Sequence, residues 1–262
     1  LLVGEVMEIQ NRFETAIDVY GAIPVSSPHS WNARLRIASS LEQIGRADEA
    51  IDILEDMVGE RRDRPDALIQ LGDILRFQQE YGPAADAYDK AIERLGGKTQ
   101  VGWRLLYRRG IANERAGDWA KAEADFLQAL EIEPEQPYVL NYLGYSWVDM
   151  GMNFDQAEDM LKRAVELQPD DGYIVDSLGW VYYKLGRFDD AVEQLEKAVE
   201  LKPDDPTIND HLGDAYWQIG RYHEARFQWH RALSFNPTED LRSTVEAKIN
   251  GQVPSVAPIV VN

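Results

Sequence analysis

The stretch Leu178-Gly-Trp-Val-Tyr-Tyr-Lys-Leu-Gly-Arg-Phe-Asp-Asp-Ala-Val-Glu-Gln-Leu-Glu-Lys-Ala-Val-Glu-Leu-Lys-Pro203 decides the architecture, because its skeleton returns 34 residues later. Leu178, Gly179, Tyr182, Ala191, Leu195, Ala198 and Pro203 reappear as Leu212, Gly213, Tyr216, Ala225, Trp229, Ala232 and Pro237. Residues three or four apart stack on a helix, so Leu178, Gly179 and Tyr182 share one face and Ala191, Leu195 and Ala198 share another. The spacing reads helix, turn, helix, turn, and its repetition reads as an all-α solenoid. Gly179, Ala191 and Ala198 lack bulk where the two helices cross, which lets the backbones approach while Tyr182 and Leu195 fill the surrounding space.

Working outward with Gly179 at position eight of its repeat, the same register gives repeats at 172–205 and 206–239, then 137–171, 103–136, 65–98 and 31–64, with a first repeat at 1–30 lacking its opening positions. The anchors in these copies are Gly144/Ala157/Ala164/Pro169, Gly110/Ala122/Phe126/Ala129/Pro134 and Gly72/Ala84/Tyr88/Ala91. Ala38/Ala50/Leu54/Met57 is a looser version, and Gly4, Ala16, Tyr20 and Pro28 keep the phase at the start. Two departures break the period. One residue is added in the turn Gly151-Met152-Asn153, and a connection at 99–102, entered through Gly96-Gly97, replaces the usual proline. The glycine pair makes 95–102 the expected hinge.

This pattern resembles the tetratricopeptide repeat (TPR) family, whose signature runs Trp-x2-Leu-Gly-x2-Tyr, then Ala, a large apolar residue, Ala and Pro. The resemblance covers nearly the whole chain and implies a right-handed α-solenoid of about seven helix-turn-helix repeats with a C-terminal capping helix. The runs Asp171 to Trp180 and Ile208 to Trp217 are similar to the C-terminal arrays of long bacterial TPR proteins, which implies an extracytoplasmic location, periplasmic or membrane-associated, over a cytoplasmic one. The chain begins at Leu1 inside a repeat and so reads as a piece of something longer.

At the other end, Asn236-Pro237-Thr238-Glu239 reads as a helix start with Asn236 as the cap and Pro237 in the first turn. A capping helix over 236–250 follows, with Leu241, Val245 and Ile249 on one stripe and Arg242, Glu246 and Lys248 turned elsewhere, and Gly251 ends it. Residues 251–262 read as an extended tail whose Val256, Ile259, Val260 and Val261 could lie in its own or a neighbour's groove.

Composition excludes several functions. With 27 basic against 46 acidic residues the net charge is −19, which opposes contact with nucleic acid and anionic lipid. No run of eighteen apolar residues is present to span a membrane. The absence of cysteine removes disulfides, thiol nucleophiles and thiolate metal sites. His223-Glu224 resembles a zinc-protease opening, but Phe227 stands where the second histidine must be. His223 and His230 are seven apart on one helix and read as surface residues without a third ligand. Asp170-Asp171, Asp189-Asp190 and Asp204-Asp205 suit helix N-termini rather than acid/base pairs. Neither a catalytic set nor a cofactor site emerges.

The chemistry is therefore expected where the resemblance places it, on the wall made by the first helix of each repeat, at positions two, five, nine, twelve and thirteen. In the last three repeats these are Tyr138, Asn141, Tyr145, Val148 and Asp149; Tyr173, Asp176, Trp180, Tyr183 and Lys184; and Thr207, Asp210, Asp214, Trp217 and Gln218. Asn141, Asp176 and Asp210 share the fifth position and suggest a ladder of acceptors, with Tyr138, Tyr145, Tyr173, Trp180, Tyr183 and Trp217 supplying rings and Asp214 a further acid. Such a lining suits an extended peptide, with amides and carboxylates for its main chain and rings for its side chains. Acidic rungs favour a basic or amide-rich ligand. The expected function is a non-catalytic protein-protein interaction scaffold. The alternatives are self-association through the tail 252–262 and, more distantly, a targeting module for an enzyme lying upstream.

Overall fold

A computed structural model describes residues 1–96 and 101–252. All regular structure among them is helical, in two compact parts, Leu1–Ile132 and Glu133–Asn262. The N-terminal part contains α1 (Leu2–Ile9), α2 (Phe13–Gly21), α3 (Ser30–Gln43), α4 (Ala47–Glu60), α5 (Asp66–Phe77), α6 (Tyr81–Arg94), α7 (Trp103–Arg115) and α8 (Trp119–Ile132). The C-terminal part contains α9 (Pro137–Asp149), α10 (Phe154–Leu167), α11 (Gly172–Lys184), α12 (Phe188–Leu201), α13 (Pro206–Gln218), α14 (Tyr222–Ser234) and α15 (Glu239–Ile249). Within each part consecutive helices pack as hairpins, and each hairpin packs on the next, as in a solenoid.

The crossing inside each hairpin follows from the small residues. The second helices bury Ala84/Tyr88/Ala91, Ala122/Phe126/Ala129, Ala157/Leu161/Ala164, Ala191/Leu195/Ala198 and Ala225/Trp229/Ala232, each side chain at 0% exposure. A Cβ on Gly110 would stand 2.6 Å from Phe126 Cε1, and one on Gly179 would stand 2.7 Å from Leu195 Cγ. Glycine at position eight is thus the complement of a bulky residue sixteen positions on. Where Ala38 replaces glycine the partner is Leu54, also fully buried.

The turn within each hairpin has one solution. The residue at position fifteen takes a left-handed backbone conformation in Asn11, Gly45, Gln79, Gly117, Gly151, Gly186 and Gly220. The following amide then bonds back five residues, as in Arg46 to Leu41 (2.9 Å) and Arg187 to Tyr182 (2.9 Å), which closes the first helix with a Schellman motif. The extra residue after Gly151 is absorbed by a second left-handed residue, Asn153, immediately before α10. Between hairpins, Asp171 accepts from the amides of Tyr173 and Ile174, and Asp205 from those of Thr207 and Ile208, so these carboxylates cap helices as expected.

Two features of the C-terminal end differ from the sequence expectation. Thr238, not Asn236, is the cap of α15, accepting from the Leu241 amide at 3.4 Å, while Asn236 lies in the left-handed region. Its short side chain tolerates that conformation, which directs the chain into the helix from beyond Pro237. Lys248, expected in solvent, is 3% exposed beside Val245. Its physical reason is two carboxylates on α13. Gly251 does follow the helix with a positive φ. The hinge expected at 95–102 falls in part on residues 97–100, and the tail on 253–262, both outside the described residues.

The Ala191 side chain is fully buried, and an arginine there would both overpack the crossing and bury a charge. Ala191→Arg is expected to lower stability by roughly 3–5 kcal/mol, read as a fall in the urea midpoint. An unchanged midpoint would refute the packing account.

Candidate functional site

In the C-terminal part the first helices form their own layer, α9 touching α11 and α11 touching α13. The residues expected to bind a ligand lie on this layer, and they divide into two groups. Tyr138 (45% exposed) and Tyr173 (54% exposed) stand out from the surface, one repeat apart at position two. Asn141, Tyr145, Trp180 and Trp217 are half-buried. Asp176, Tyr183, Asp210 and Asp214 are buried.

The buried group is tied up by bonds across repeats. His211 Nδ1 lies 3.0 Å from both carboxylate oxygens of Asp176. Gln218 Nε2 donates to the Tyr183 hydroxyl at 3.3 Å. The Lys248 ammonium donates to Asp210 at 2.8 Å and to Asp214 at 2.7 Å, and Trp229 Nε1 donates to the other oxygen of Asp214 at 3.1 Å. Trp180 is sandwiched between Tyr183, at 4.7 Å between ring centres, and His211, at 3.9 Å. A protonated His211 stacked on that indole gains a cation–π attraction besides its ion pair.

The same device recurs in the N-terminal part. Gln70 bonds the Leu35 carbonyl and the Ser39 hydroxyl, Arg108 bonds Asp73, and Arg36 pairs with Glu5. Each donor stands at position six of its repeat and reaches back to the preceding one, Gln70 to positions five and nine, Arg108 to position nine, and Arg36 to position nine and, more closely, to Glu8 at position twelve. Sequence reading placed Leu35, Ser39 and Asp176 on this wall and missed Asp73, Glu5 and all of these donors. The signal was present as an offset of 35 residues, one more than the period, between Asp73 and Arg108 and between Asp176 and His211. At Asn141 the device lapses, because the next sixth-position residue, Ser177, donates to the Tyr173 carbonyl instead, and the Asn141 Oδ1 atom has no partner.

One crevice on this layer is closed. The crevice bounded by Tyr145, Val148, Asp149, Trp180, Val181 and Lys184 has about 0 Å³ of space for a water-sized group. In the N-terminal part, by contrast, Glu5, Asn32, Leu35, Arg36, Ser39 and Gln70 help to line a cavity of about 330 Å³. Sequence reading singled out Asn32, Leu35 and Ser39 only as a less organised stretch of wall. Among the described residues no three His, Asp or Glu side chains are placed to hold a metal ion, and no helix is long and apolar enough to cross a membrane. His223 and His230 are exposed.

Burial raises several pKa values on this face. Tyr145 is pushed up to about 12, by burial first and then by the charges of Asp149 and Asp176. Asp214 is raised to about 6, again by burial first and then by Asp210, with Lys248 offsetting part of the rise. For His211 burial pulls the imidazole down, but the charge and hydrogen bond of Asp176, with Asp210 and Asp214, outweigh it and the net direction is up. An acid with a raised folded pKa is stabilising in its protonated form, so the Asp214 contribution grows as pH falls toward 4 and is lost as pH rises through about 6. The His211 contribution is present below the free imidazole value and is lost as pH rises through its folded value, so both run in one direction. Urea unfolding at pH 5 and pH 8 is expected to show that Asp214→Asn loses about 1 kcal/mol of the acid-side gain found in the parent chain. Superimposable pH profiles for the two chains would exclude this assignment.

Comparison with known proteins places this geometry. Tetratricopeptide repeat models match residues 10–67, 65–94, 103–136 and 207–239, and a TPR repeat model matches 179–220. A TPR repeat-containing protein of Pseudomonas aeruginosa, PA4667, is 30% identical over 188 residues, which are 70% of this chain and 30% of that protein. The chain thus matches about a third of that relative's length. The crystal structure of a tetratricopeptide repeat protein from Parabacteroides merdae superposes with a TM-score of 0.72 at 13% identity, covering 94% of each chain. That of YrrB, described as a TPR protein with an unusual peptide-binding site, gives 0.52 at 21% identity over 74% of this chain and 97% of its own. The family models, the repeated glycine–aromatic crossings and the layered hairpins agree, and the chain belongs to the tetratricopeptide repeat family, whose fold is a scaffold for protein–protein interaction.

Proposed function

We propose that this chain is a non-catalytic scaffold that binds an extended segment of a partner protein across α9, α11 and α13. The observation that carries the reading is the pair of tyrosines at position two, Tyr138 and Tyr173, which leave two aromatic side chains about half exposed on one layer. Tyrosine gives a large, rigid contact area with a polar tip and is enriched where binding energy concentrates. Two turns further along the same two helices are the half-buried rings of Tyr145 and Trp180. Apolar side chains of a bound segment would cover these rings. The crevice that these rings help to bound is closed, which suits a segment lying on the surface there rather than entering it.

Charge sets the partner's character. Asp176, Asp210 and Asp214 are matched by His211 and Lys248 in this conformation, and Asp149 by Lys184, so the overall charge of −19 supplies the attraction for a basic or amide-rich segment. YrrB supports the reading to the extent that a similarly folded TPR chain is described as carrying a peptide-binding site.

A random-peptide display selection on the whole chain provides the test, followed by anisotropy titration of the selected peptides. Tyr138→Ala/Tyr173→Ala, which removes exposed rings and leaves the core alone, is expected to weaken the selected peptides about tenfold or more, since truncating a central aromatic contact costs about 1–2 kcal/mol or more. Affinity is also expected to fall as salt rises. Peptides bound equally well by parent and double variant would rule out this surface.

A further inference from the structure

Helix α15 packs on α14, as α13 packs on α12. Lys248 reaches back to α13 at offsets of 38 and 34 residues, bracketing the 35 that separates His211 from Asp176. Of the eleven residues of α15, Val245 and Lys248 are buried, against four of thirteen in α14, on which it packs, and three of fourteen in α10. The cap at Thr238 is long at 3.4 Å, and so is the bond from Arg226 to the Ile249 carbonyl at 3.4 Å. The strong fastening is one ammonium, which spends all three of its N–H groups on Asp210 Oδ1, Asp210 Oδ2 and Asp214 Oδ2.

We propose that α15 is an autoinhibitory strap: through Lys248 it engages the two acids that the last repeat contributes to the binding layer, and this ammonium occupies the position of a lysine ammonium brought by a partner. The inference rests on the reading that this layer binds a partner, and it adds the chemistry recognised at its far end. Asp210 and Asp214 are four residues apart on one helix face, so both aim at one point. Left buried without a cation, two such carboxylates repel each other and lack the water that would hydrate them. With α15 lifted they gain water, or a partner's ammonium, so the layer has a strapped and an open state, and a lysine-bearing partner shifts the balance by binding the open one. Lysine suits the site because it offers a compact point charge with three donors rather than a planar fork.

The experiment uses the full chain and a synthetic peptide of residues 236–252 carrying fluorescein, made with Lys248 and with Lys248→Met. In a Lys248→Met chain the strap should loosen, with α15 amides exchanging at least tenfold faster while those of α13 and α14 keep the parent rate. The lysine peptide should then bind that chain at least tenfold more tightly than it binds the parent, and the methionine peptide should show no such preference. Val245→Ala loosens the apolar half of the attachment while keeping the ion pairs, and it should also admit the lysine peptide better than the parent does. If circular dichroism shows the Lys248→Met chain to be unfolded, Val245→Ala alone decides. The proposal is overturned if α15 stays protected and neither variant chain takes up the lysine peptide better than the parent, or if α13 and α14 lose protection together with α15. The probe is read at α15 and not at Tyr138 or Tyr173, so loss of peptide selectivity at the tyrosines and loss of exchange at the strap are separate results.

Discussion

The close approach of two helices at a residue without a side chain is the constraint on which everything else depends. In Gly110 and Gly179 the missing Cβ is the space that Phe126 and Leu195 fill. That single fit sets the distance between the two helices of a hairpin, and the flanking alanines keep it constant along the crossing. With the distance fixed, the first helices come to lie beside one another, and a face is created whose composition the packing does not dictate. The tyrosines, amides and acids of α9, α11 and α13 occupy that face because the crossing behind them carries the stability.

The same face also holds the stack together. Position six of one repeat bonds position five or nine of the repeat before it, through Gln70, Arg108 and His211. These bonds bury polar groups in matched pairs, which costs little when complete and much when broken. Residues that a ligand could use are thereby divided between internal bonding and outward display. Asp176 belongs to the first use, Tyr138 and Tyr173 to the second, and Asn141 stands at the boundary because its would-be donor Ser177 bonds elsewhere.

The fold was legible in the sequence because its determinants are periodic and local. Ala122, Phe126 and Ala129 announce a buried face by spacing alone, and each is fully buried. Position in a helix likewise assigned the candidate residues to the first helices, yet Asp176, Tyr183, Asp210 and Asp214 are buried there. What spacing does not encode is which neighbour answers it. Asp210 and Asp214 read as open acids until Lys248 is seen to reach them, and Lys248 read as solvent-facing because the stripe Leu241, Val245, Ile249 was taken to be the whole buried face. A long side chain at the edge of such a stripe can turn its charged end inward when two carboxylates wait there, and no count of hydrophobic residues registers that. Thr238 was hidden for a similar reason: Asn, Pro and Thr each suit a helix start, and the left-handed turn at Asn236 chose among them.

The left-handed residue at position fifteen has a bearing on how the chain reaches this structure. Each turn is completed by a bond spanning five residues, so a hairpin can finish its own turn without help from distant sequence. Folding assembled from such short loops has little entropy to overcome per step and proceeds by adding neighbours. A growing polypeptide of this kind can settle one hairpin as the next is being synthesised, and damage to one hairpin spreads no further than the contacts it shares with the adjacent ones.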